Sequence, residues 1–363
     1  MTVFAKRRDK LRSQLHKSKL DSLLVTSFTN VSYLTGFTGD DSYLLLNGKH
    51  SILLSDERYT TQLQEECPDL ELSIRGPGKK MLASVEAEIS RAKVKRLGFE
   101  ADSMTVAMHA ALGEAAKRST LVACEGWVEQ LRIVKDREEI ARTRTACEQA
   151  RRAFEVVRAA LTPEMTELEV AADLEYQARR FGGKCLSFPA IVAAGPRAAL
   201  PHASPTLRKL GSSDFTLIDW GVNEGQYVSD LTRILVTGRI SPKLQKIYAV
   251  VLKAQLAGIE AIRPGVTCEE VDRAARNIIA KAGYGKQFGH GLGHGTGLEI
   301  HEAPRLAQGQ ATVLKPGMIV TVEPGIYFPG WGGVRIEDDV LVTRSGREVL
   351  TSVAKQLDEC VVG

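Results

Sequence analysis

The chain has 363 residues, 44% hydrophobic and 25% charged, with 32 Gly and 13 Pro, a mixture that excludes disorder, collagen and coiled coil. At about 150 residues per domain the length suggests two domains, each able to bury a core without disulfides or a structural metal. A net charge of +4, from 48 basic and 44 acidic residues, creates no field for a polyanion, so nucleic acid is not an expected partner.

No apolar run approaches the ~18 residues of a membrane-spanning helix, and the opening MTVFAKRRDKLRSQLHKSKL lacks the apolar centre of a signal peptide. These features predict a cytoplasmic protein with no membrane partner. Cys67, Cys124, Cys147, Cys185, Cys268 and Cys360 are scattered singly, without CxxC pairs, as expected of reduced and mostly buried thiols.

From the start to about residue 130, short apolar runs alternate with helical patterns in the manner of an α/β layer. SLLVT reads as a strand, and YLLLNGKHSILLS as two strands joined by a turn at Asn47-Gly48. Helical, strand, helical and strand patterns follow at ERYTTQLQEE, ELSIR, MLASVEAEISRA and RLGFEA. The stretch IVKDREEIARTRTACEQARRAFEVVRAAL has apolar residues at helical spacing and no Gly or Pro, which predicts a long helix opening a second domain over 131–363.

That second domain contains a repeat. ALTPEMTELEV at 160–170 and AIRPGVTCEEV at 261–271 match at Ala160/Ala261, Pro163/Pro264, Thr166/Thr267, Glu169/Glu270 and Val170/Val271, always 101 residues apart. In each copy a helix ends, a Pro-containing turn follows, and Thr-x-x-Glu forms a capping box for the next helix, which points to a duplicated α/β unit. Each copy is followed by an apparent antiparallel hairpin. FTLIDWGV and YVSDLTRILVTG flank Asn223, Glu224 and Gly225, while MIVTVEPGIY and GGVRIEDDVLVT flank Pro329-Gly330-Trp331-Gly332.

A first hairpin symmetric about a centre between 224 and 225 would place Asp219 opposite Asp230; a second centred on Gly330 would place Glu323 opposite Glu337. Cross-strand partners have Cβ atoms only ~4.5–5.5 Å apart, where like charges destabilise unless something neutralises them. Asp219 follows the apolar FTLI and Glu323 follows MIVTV, so both acids end strands that should be buried, where a carboxylate needs a partner or a metal. Strand alternation puts Glu337 and Asp339 on one face, which leaves the identity of the fourth acid open. Between the hairpins, FGHGLGHGTGLEIHEAP carries three of the chain's seven histidines among glycines that would let the backbone approach a ligand closely. It is not a P-loop, and the chain has no HExxH. Four carboxylates plus at least one His make an oxygen-rich set suited to two divalent metals, manganese or cobalt better than structural zinc, and to hydrolysis of an amide or ester.

On these motifs the sequence resembles the creatinase/methionine-aminopeptidase family, the pita-bread metallopeptidases, and within it the Xaa-Pro dipeptidases and aminopeptidases. The motifs are IDWGVNEGQYVSDLTR, GHGLGHGTGLEIHEAPR, KPGMIVTVEPGIY and GGVRIEDDV, in the family's order after a creatinase-like N-terminal domain over 1–130. The resemblance implies an α/β (α+β) fold whose C-terminal domain has duplicated halves around a curved antiparallel sheet. It also implies two divalent ions, Mn²⁺ or Co²⁺ with Zn²⁺ possible, held by Asp219, Asp230, His294, Glu323 and Glu337, with Asp230 and Glu337 bridging. Glu323 would take a proton from the attacking water, and His202 and His301 would donate hydrogen bonds to substrate. His290 and Tyr327 would line the substrate pocket, Arg335 would support the ligand carboxylates, and Phe188, Ile191 and Arg305 would surround the proline ring and its carboxylate. The apolar residues of FPAIV read equally well as strand core.

The implied substrate is a small peptide with proline second, whose scissile bond is a tertiary amide with no N–H and a ring-fixed φ, a poor fit for general peptidase sites. Arg305 favours a dipeptidase, because it could pair with a free proline carboxylate, over an aminopeptidase acting on longer peptides. Methionine aminopeptidase does not account for the N-terminal domain, creatine amidinohydrolase does not use the metal set, and a non-catalytic peptide-binding scaffold would typically lose ligands. A homodimer is the family-level expectation.

Overall fold

Hydrogen bonding between buried apolar strands organises both halves of the chain. A computed structural model describes residues 2–362 and separates two compact units between Arg132 and Ile133. In the first unit a six-stranded sheet runs in the order Glu71–Arg75, Ser51–Asp56, Tyr43–Asn47, Ser22–Val25, Arg96–Glu100, Thr120–Cys124. Its middle strands are buried along their lengths, as expected of a sheet covered on both faces. The tight connection after Asn47 is stabilised by the Asn47 side-chain oxygen, which accepts from the N–H groups of Lys49 at 2.9 Å and His50 at 2.7 Å.

Helices Val3–Lys17, Phe28–Thr35 and Val106–Ala115 and the strand Thr120–Cys124 lie outside the sequence expectations. The first is masked by its basic residues, two of which are buried. Arg7 and Arg8 each donate at 2.9 Å to the carbonyls of Tyr33 and Leu34, so they satisfy acceptors at the C-terminal end of Phe28–Thr35.

In the second unit the helix Arg137–Ala160 starts at an Asp136–Glu139 capping box and is followed by Glu167–Arg180; Pro242–Ala261 and Cys268–Lys281 form the second pair. Both predicted Thr-x-x-Glu boxes form. Thr166 N–H and Thr267 N–H donate to Glu169 and Glu270 at 2.7 Å, and the two threonine hydroxyls accept from the Glu169 and Glu270 N–H groups. Ala160/Ala261, Glu167/Cys268 and Arg180/Lys281 bound these elements 101 residues apart, so the duplication seen in the sequence is structural.

Four antiparallel sheets accompany the helices. One joins Ile191–Ala194, Phe215–Trp220 and Leu231–Val236; another contains Gly293–Gly295, Glu302–Leu306, Ile319–Val322, Asp338–Val342 and Arg347–Val349. Ile218 and Trp220 pack under the first helix pair, with Trp220 stacked on Phe154 at 4.2 Å and its indole N–H donating to the Ala150 carbonyl. Strand alternation then turns Asp219 away from those helices. Val320 and Val322 likewise pack with the second helix pair, which turns Glu323 away from it.

The first hairpin's register differs from the symmetric expectation. Asp219 pairs with Thr232, not Asp230, and Asn223 pairs with Val228. The turn residues are Gly225 and Gln226, both at positive φ, 53° and 74°, a two-residue turn set one position later than a centre between 224 and 225. Gln at positive φ carries no turn signal, which is why sequence symmetry misplaced the centre. The shift moves Asp230 from opposite Asp219 to diagonal, on the same face two residues before Thr232. In the second hairpin Val322 pairs with Asp338 and Gly325 with Arg335, a register centred on Gly330 that brackets Glu323 and Glu337 at opposed positions.

The two halves are fastened by Arg233, which is 1% exposed. It donates to the carbonyls of Glu337, Val353 and Ala354 and, at 2.7 Å, to Asp338 Oδ1, whose other oxygen accepts from Lys355 at 2.5 Å and Gln255 at 2.7 Å. Burial pushes the Asp338 carboxyl up, but Arg233 and Lys355 outweigh it and hold the group below its ordinary 3.8. A carboxyl shifted down contributes stability that is complete above the unfolded value and is lost as pH falls through the lower folded one. Asp338→Asn is expected to cost about 3–5 kcal/mol at neutral pH, as breaking a buried pair does. Urea unfolding of both proteins over a descending pH series checks this: the stability gap should narrow in acid, and a gap independent of pH would reject the ion-pair account.

Candidate active site

Where the two hairpins face each other, the inward carboxylates line a cleft of about 1020 Å³. All the sequence-predicted residues border it: Asp219, Asp230, Glu323, Glu337 and His294; His202, His290 and His301; Tyr327, Arg335 and Arg305; and Phe188 and Ile191. Ile191 pairs with Asp219 across neighbouring strands and borders the cleft while also packing in the core under the second helix pair; Ala190 likewise borders the cleft and joins the core under the first helices, and Val192 lies in that core. The alternatives for FPAIV are therefore both realised, in part by the same residues.

The acids sit close to one another. Oxygens of Asp230 and Glu337 and a His294 ring nitrogen lie within 4.8 Å of one another, and His294 Nε2 is 3.7 Å from Asp230 Oδ2 and 3.4 Å from Glu323 Oε1. The fourth acid of the cleft is Glu337. Asp339, on the same face, is turned to structural use, its Oδ2 accepting from the Asp230 N–H at 2.8 Å and from the Cys147 thiol at 3.5 Å.

Burial and mutual repulsion raise these carboxyls. Desolvation, Glu337 and Asp219 push Asp230 well above the carboxylate range; desolvation, Glu323 and Asp219 do the same to Glu337. Desolvation raises Glu323 to about 8, and it raises Asp219 despite the opposing pull of Arg335. The histidines move the other way. Desolvation lowers His294 and His290 to about 4, which makes both rings neutral at physiological pH.

The neutral His294 ring tests whether a cation fits. His294 Nδ1 lies 3.0 Å from the Gly295 carbonyl, an acceptor, so the hydrogen-bond network assigns the ring proton to Nδ1. Nε2 then presents a lone pair toward the Asp230 and Glu323 oxygens, so that acceptor faces acceptor whenever those carboxyls are ionised and only a proton or a cation can join them. Asp219 Oδ1 is also buried without a hydrogen-bond partner. Such a set of oxygen and imidazole lone pairs suits divalent metal ions held between Asp219, Asp230, His294, Glu323 and Glu337.

Threonines missed in the sequence reading brace the set. Thr232 donates to Glu337 Oε2 at 2.5 Å and accepts from Arg335 Nε at 2.9 Å; Arg335 Nη2 in turn donates to Asp219 at 2.5 Å. Thr321 accepts from the His294 N–H at 3.1 Å and donates to Glu323 Oε1 at 3.4 Å. Both threonines stand two residues from an acid, Asp230 or Glu323, so the period of a strand was the signal that could have found them. The Tyr327 hydroxyl accepts from Arg335 Nη1 at 3.1 Å and donates to His290 Nε2 at 3.1 Å, because the neutral His290 ring keeps its proton on Nδ1, 2.7 Å from the Gly291 carbonyl.

The glycines on either side of His294 are required by the sheet, and Gly291 and Gly293 also border the cleft. A Cβ on Gly293 would lie 2.0 Å from the Thr321 carbonyl and one on Gly295 2.3 Å from the Ala303 carbonyl, so only Gly lets this strand fit between its neighbours. His290 is fixed from behind by Arg276, which forks onto the fully buried Asp272 at 2.7 and 2.8 Å and donates to the Phe288 and His290 carbonyls. His202 and His301 are exposed at the mouth, where the His301 ring meets His294 at 4.5 Å edge to face.

This fold and donor set place the chain among known proteins. Residues 141–344 match metallopeptidase family M24, and residues 7–134 match the creatinase/prolidase N-terminal domain. The chain is 38% identical to the Xaa-Pro dipeptidase from Bacillus anthracis, with a TM-score of 0.94 over 99% of this chain and 100% of that one. It is 32% identical to the X-Pro aminopeptidase from Thermotoga maritima, with a TM-score of 0.90 over 98% and 100% of the two chains. A Xaa-Pro dipeptidase of Pyrococcus horikoshii is 36% identical over 98% of this chain and all of that protein, 100%. The chain belongs to metallopeptidase family M24 and carries that family's creatinase/prolidase N-terminal domain.

Removing a group that orients a metal-binding carboxylate typically costs 10–100-fold in metal affinity. Thr232→Val, which deletes the donor to Glu337 and the acceptor for Arg335, should weaken Mn²⁺ binding by about that factor. Calorimetric titration of Mn²⁺ into both proteins decides; equal affinities would remove Thr232 from the site.

Proposed function

We propose that this chain hydrolyses the Xaa-Pro bond of a dipeptide with two divalent metal ions, Mn²⁺ or Co²⁺ preferred and Zn²⁺ possible. The observation that carries the reading is the neutral His294 whose Nε2 lone pair faces buried carboxylates. Asp219, Asp230, His294, Glu323 and Glu337 would hold the ions, with Asp230 and Glu337 shared between them. When bound, such a pair polarises a carbonyl and lowers the pKa of water to near neutrality.

The chain's own groups do the rest. Glu323, whose Oε1 lies 3.4 Å from His294 Nε2 in the cleft, accepts the proton of the attacking water. His301, lowered by desolvation, is neutral at physiological pH and with His202 presents N–H donors to the substrate carbonyl and the oxyanion that develops from it. Tyr327, with Arg335 and His290 as its neighbours, edges the substrate pocket. Phe188 and Ile191 offer an apolar wall to the pyrrolidine ring, which has no N–H to satisfy.

Arg305 supports a dipeptide over a longer substrate. It pairs with His294 across neighbouring strands, is exposed on the cleft, and has no ion-pair partner among the described residues, which leaves its guanidinium for a free proline carboxylate. A cytoplasmic homodimer belongs to the same proposal. The cysteines are free and all but Cys185 buried, which suits a reducing compartment, and no described helix is long and apolar enough to cross a membrane.

Hydrolysis of Ala-Pro and Ala-Pro-Ala by the metal-reconstituted protein, with Asp230→Ala as control, tests the reading. Cleavage of the dipeptide alone supports it, and cleavage of the tripeptide alone makes the protein an aminopeptidase. Arg305→Ala should lower kcat/KM for Ala-Pro about 10–100-fold, the worth of a charge-assisted hydrogen bond. Equal losses on Ala-Pro and Ala-Pro-Ala would dissociate Arg305 from the proline carboxylate.

A further inference from the structure

The loop that carries His202 is tied at both ends to one carboxylate. Glu167 is the first residue of the helix Glu167–Arg180, and its side chain is fully buried, 0% exposed. Its Oε1 accepts from the Ala194 N–H at 2.8 Å and from Arg197 Nε at 3.1 Å. Its Oε2 accepts from Arg197 Nε at 3.0 Å, the Thr206 N–H at 2.9 Å and the Thr206 hydroxyl at 2.7 Å. Ala194 ends a strand and Thr206 closes the following loop, between which Pro201, His202 and Ser204 border the cleft. Arg197 also donates to the Ser204 carbonyl, and Arg335 Nη1 reaches the Pro201 carbonyl at 3.4 Å, so the loop is fixed across itself and against the site.

The helix does not need this acid. Its N-terminus is already satisfied by the Thr166–Glu169 box, and the duplicated helix, with the same box, has the buried Cys268 in the corresponding place. A buried carboxylate is costly unless paired, and here every partner lies on the loop.

We propose that Glu167 is a positioning residue, which holds the segment 194–206 so that His202 meets the substrate. The proposal rests on the reading of His202 as a substrate donor. Misplacing a binding group by about 1 Å can cost 10²-fold, so the effect should be large although Glu167 touches no substrate.

Glu167→Gln in the full-length, Mn²⁺-loaded protein provides the test. Amide exchange in peptides covering 195–206 should quicken about tenfold or more, with little change elsewhere. Its kcat/KM on Ala-Pro should fall about 10–100-fold at unchanged Mn²⁺ affinity, but less than about twofold in a His202→Ala background, because both changes remove one interaction. Unchanged exchange, the same loss in both backgrounds, a silent His202→Ala, or a parallel loss of Mn²⁺ affinity would each overturn the proposal. Should Glu167→Gln fail to fold, Thr206→Val removes one loop donor and keeps the acid; the same pattern at smaller amplitude supports the proposal, and its absence overturns it. If the wild type cleaves neither Ala-Pro nor Ala-Pro-Ala, the functional reading falls, while the exchange measurement still decides whether Glu167 fixes the loop.

Discussion

Burying carboxylates against carboxylates is the constraint around which the second unit is arranged. At about 4 Å two like charges interact by roughly 4 kcal/mol even at an effective dielectric of 20, a large fraction of the 5–15 kcal/mol that holds a typical protein folded. The fold brings Asp219, Asp230, Glu323 and Glu337 to one cleft, and Arg335 is the guanidinium that faces them, bonded to Asp219 directly and to Glu337 through Thr232. One guanidinium bonded within a set of four acids leaves the set under-compensated. The protons that would otherwise neutralise it are what the raised carboxyl pKa values express, and divalent cations would remove the need for them.

The neighbouring groups are chosen so as not to compete for that role. Arg233 and Lys355 engage Asp338, which points to the opposite face from Glu337, and so contribute charge to stability without entering the cleft. The cleft histidines His290 and His294 are pressed toward neutrality by desolvation. An imidazolium at His294 would donate to the Asp230 and Glu323 oxygens that its Nε2 faces; a neutral ring with its proton committed to the Gly295 carbonyl cannot. Strand alternation thus separates Asp338 and its cations, behind the sheet, from the carboxylates of Asp230 and Glu337 in front of it.

Much of this was legible because the informative features are local. Thr-x-x-Glu specifies a helix start wherever it occurs, and the spacing of Glu323 and Glu337 about Gly330 read the second hairpin's register correctly. The first hairpin was displaced by one residue because Gln226 adopts a positive φ that its identity does not announce. Thr232 and Thr321 escaped notice because a hydroxyl gains meaning only when the acid it braces is known. The sheet-packing role of the glycines beside His294 was not legible for a related reason: the backbone that crowds them, at Thr321 and Ala303, is distant in sequence. Arg7 and Arg8 show the same limit in the first unit, where the carbonyls that justify burying them belong to another helix.

The duplication explains where the site lies and why it is unequal. Each half contributes two acids from a hairpin that follows its capped helix, but the interval between equivalents grows along the chain. The helices correspond at 101 residues, whereas Asp219 to Glu323 spans 104 and Asp230 to Glu337 spans 107. The extra residues lengthen the second half, where the strand Gly293–Gly295 supplies His294 and the hairpin tip reaches Trp331. In the first half the position matched by Cys268 is Glu167, bonded to the His202 loop. Equivalent helices thus ended with different tasks: one carries a buried acid for a loop at the cleft, and the other, through Asp272 and Arg276, grips the segment before His294. A symmetric pair of halves could gather four carboxylates, but only their divergence adds the His294 ring to the cleft on one side and the His202 loop on the other.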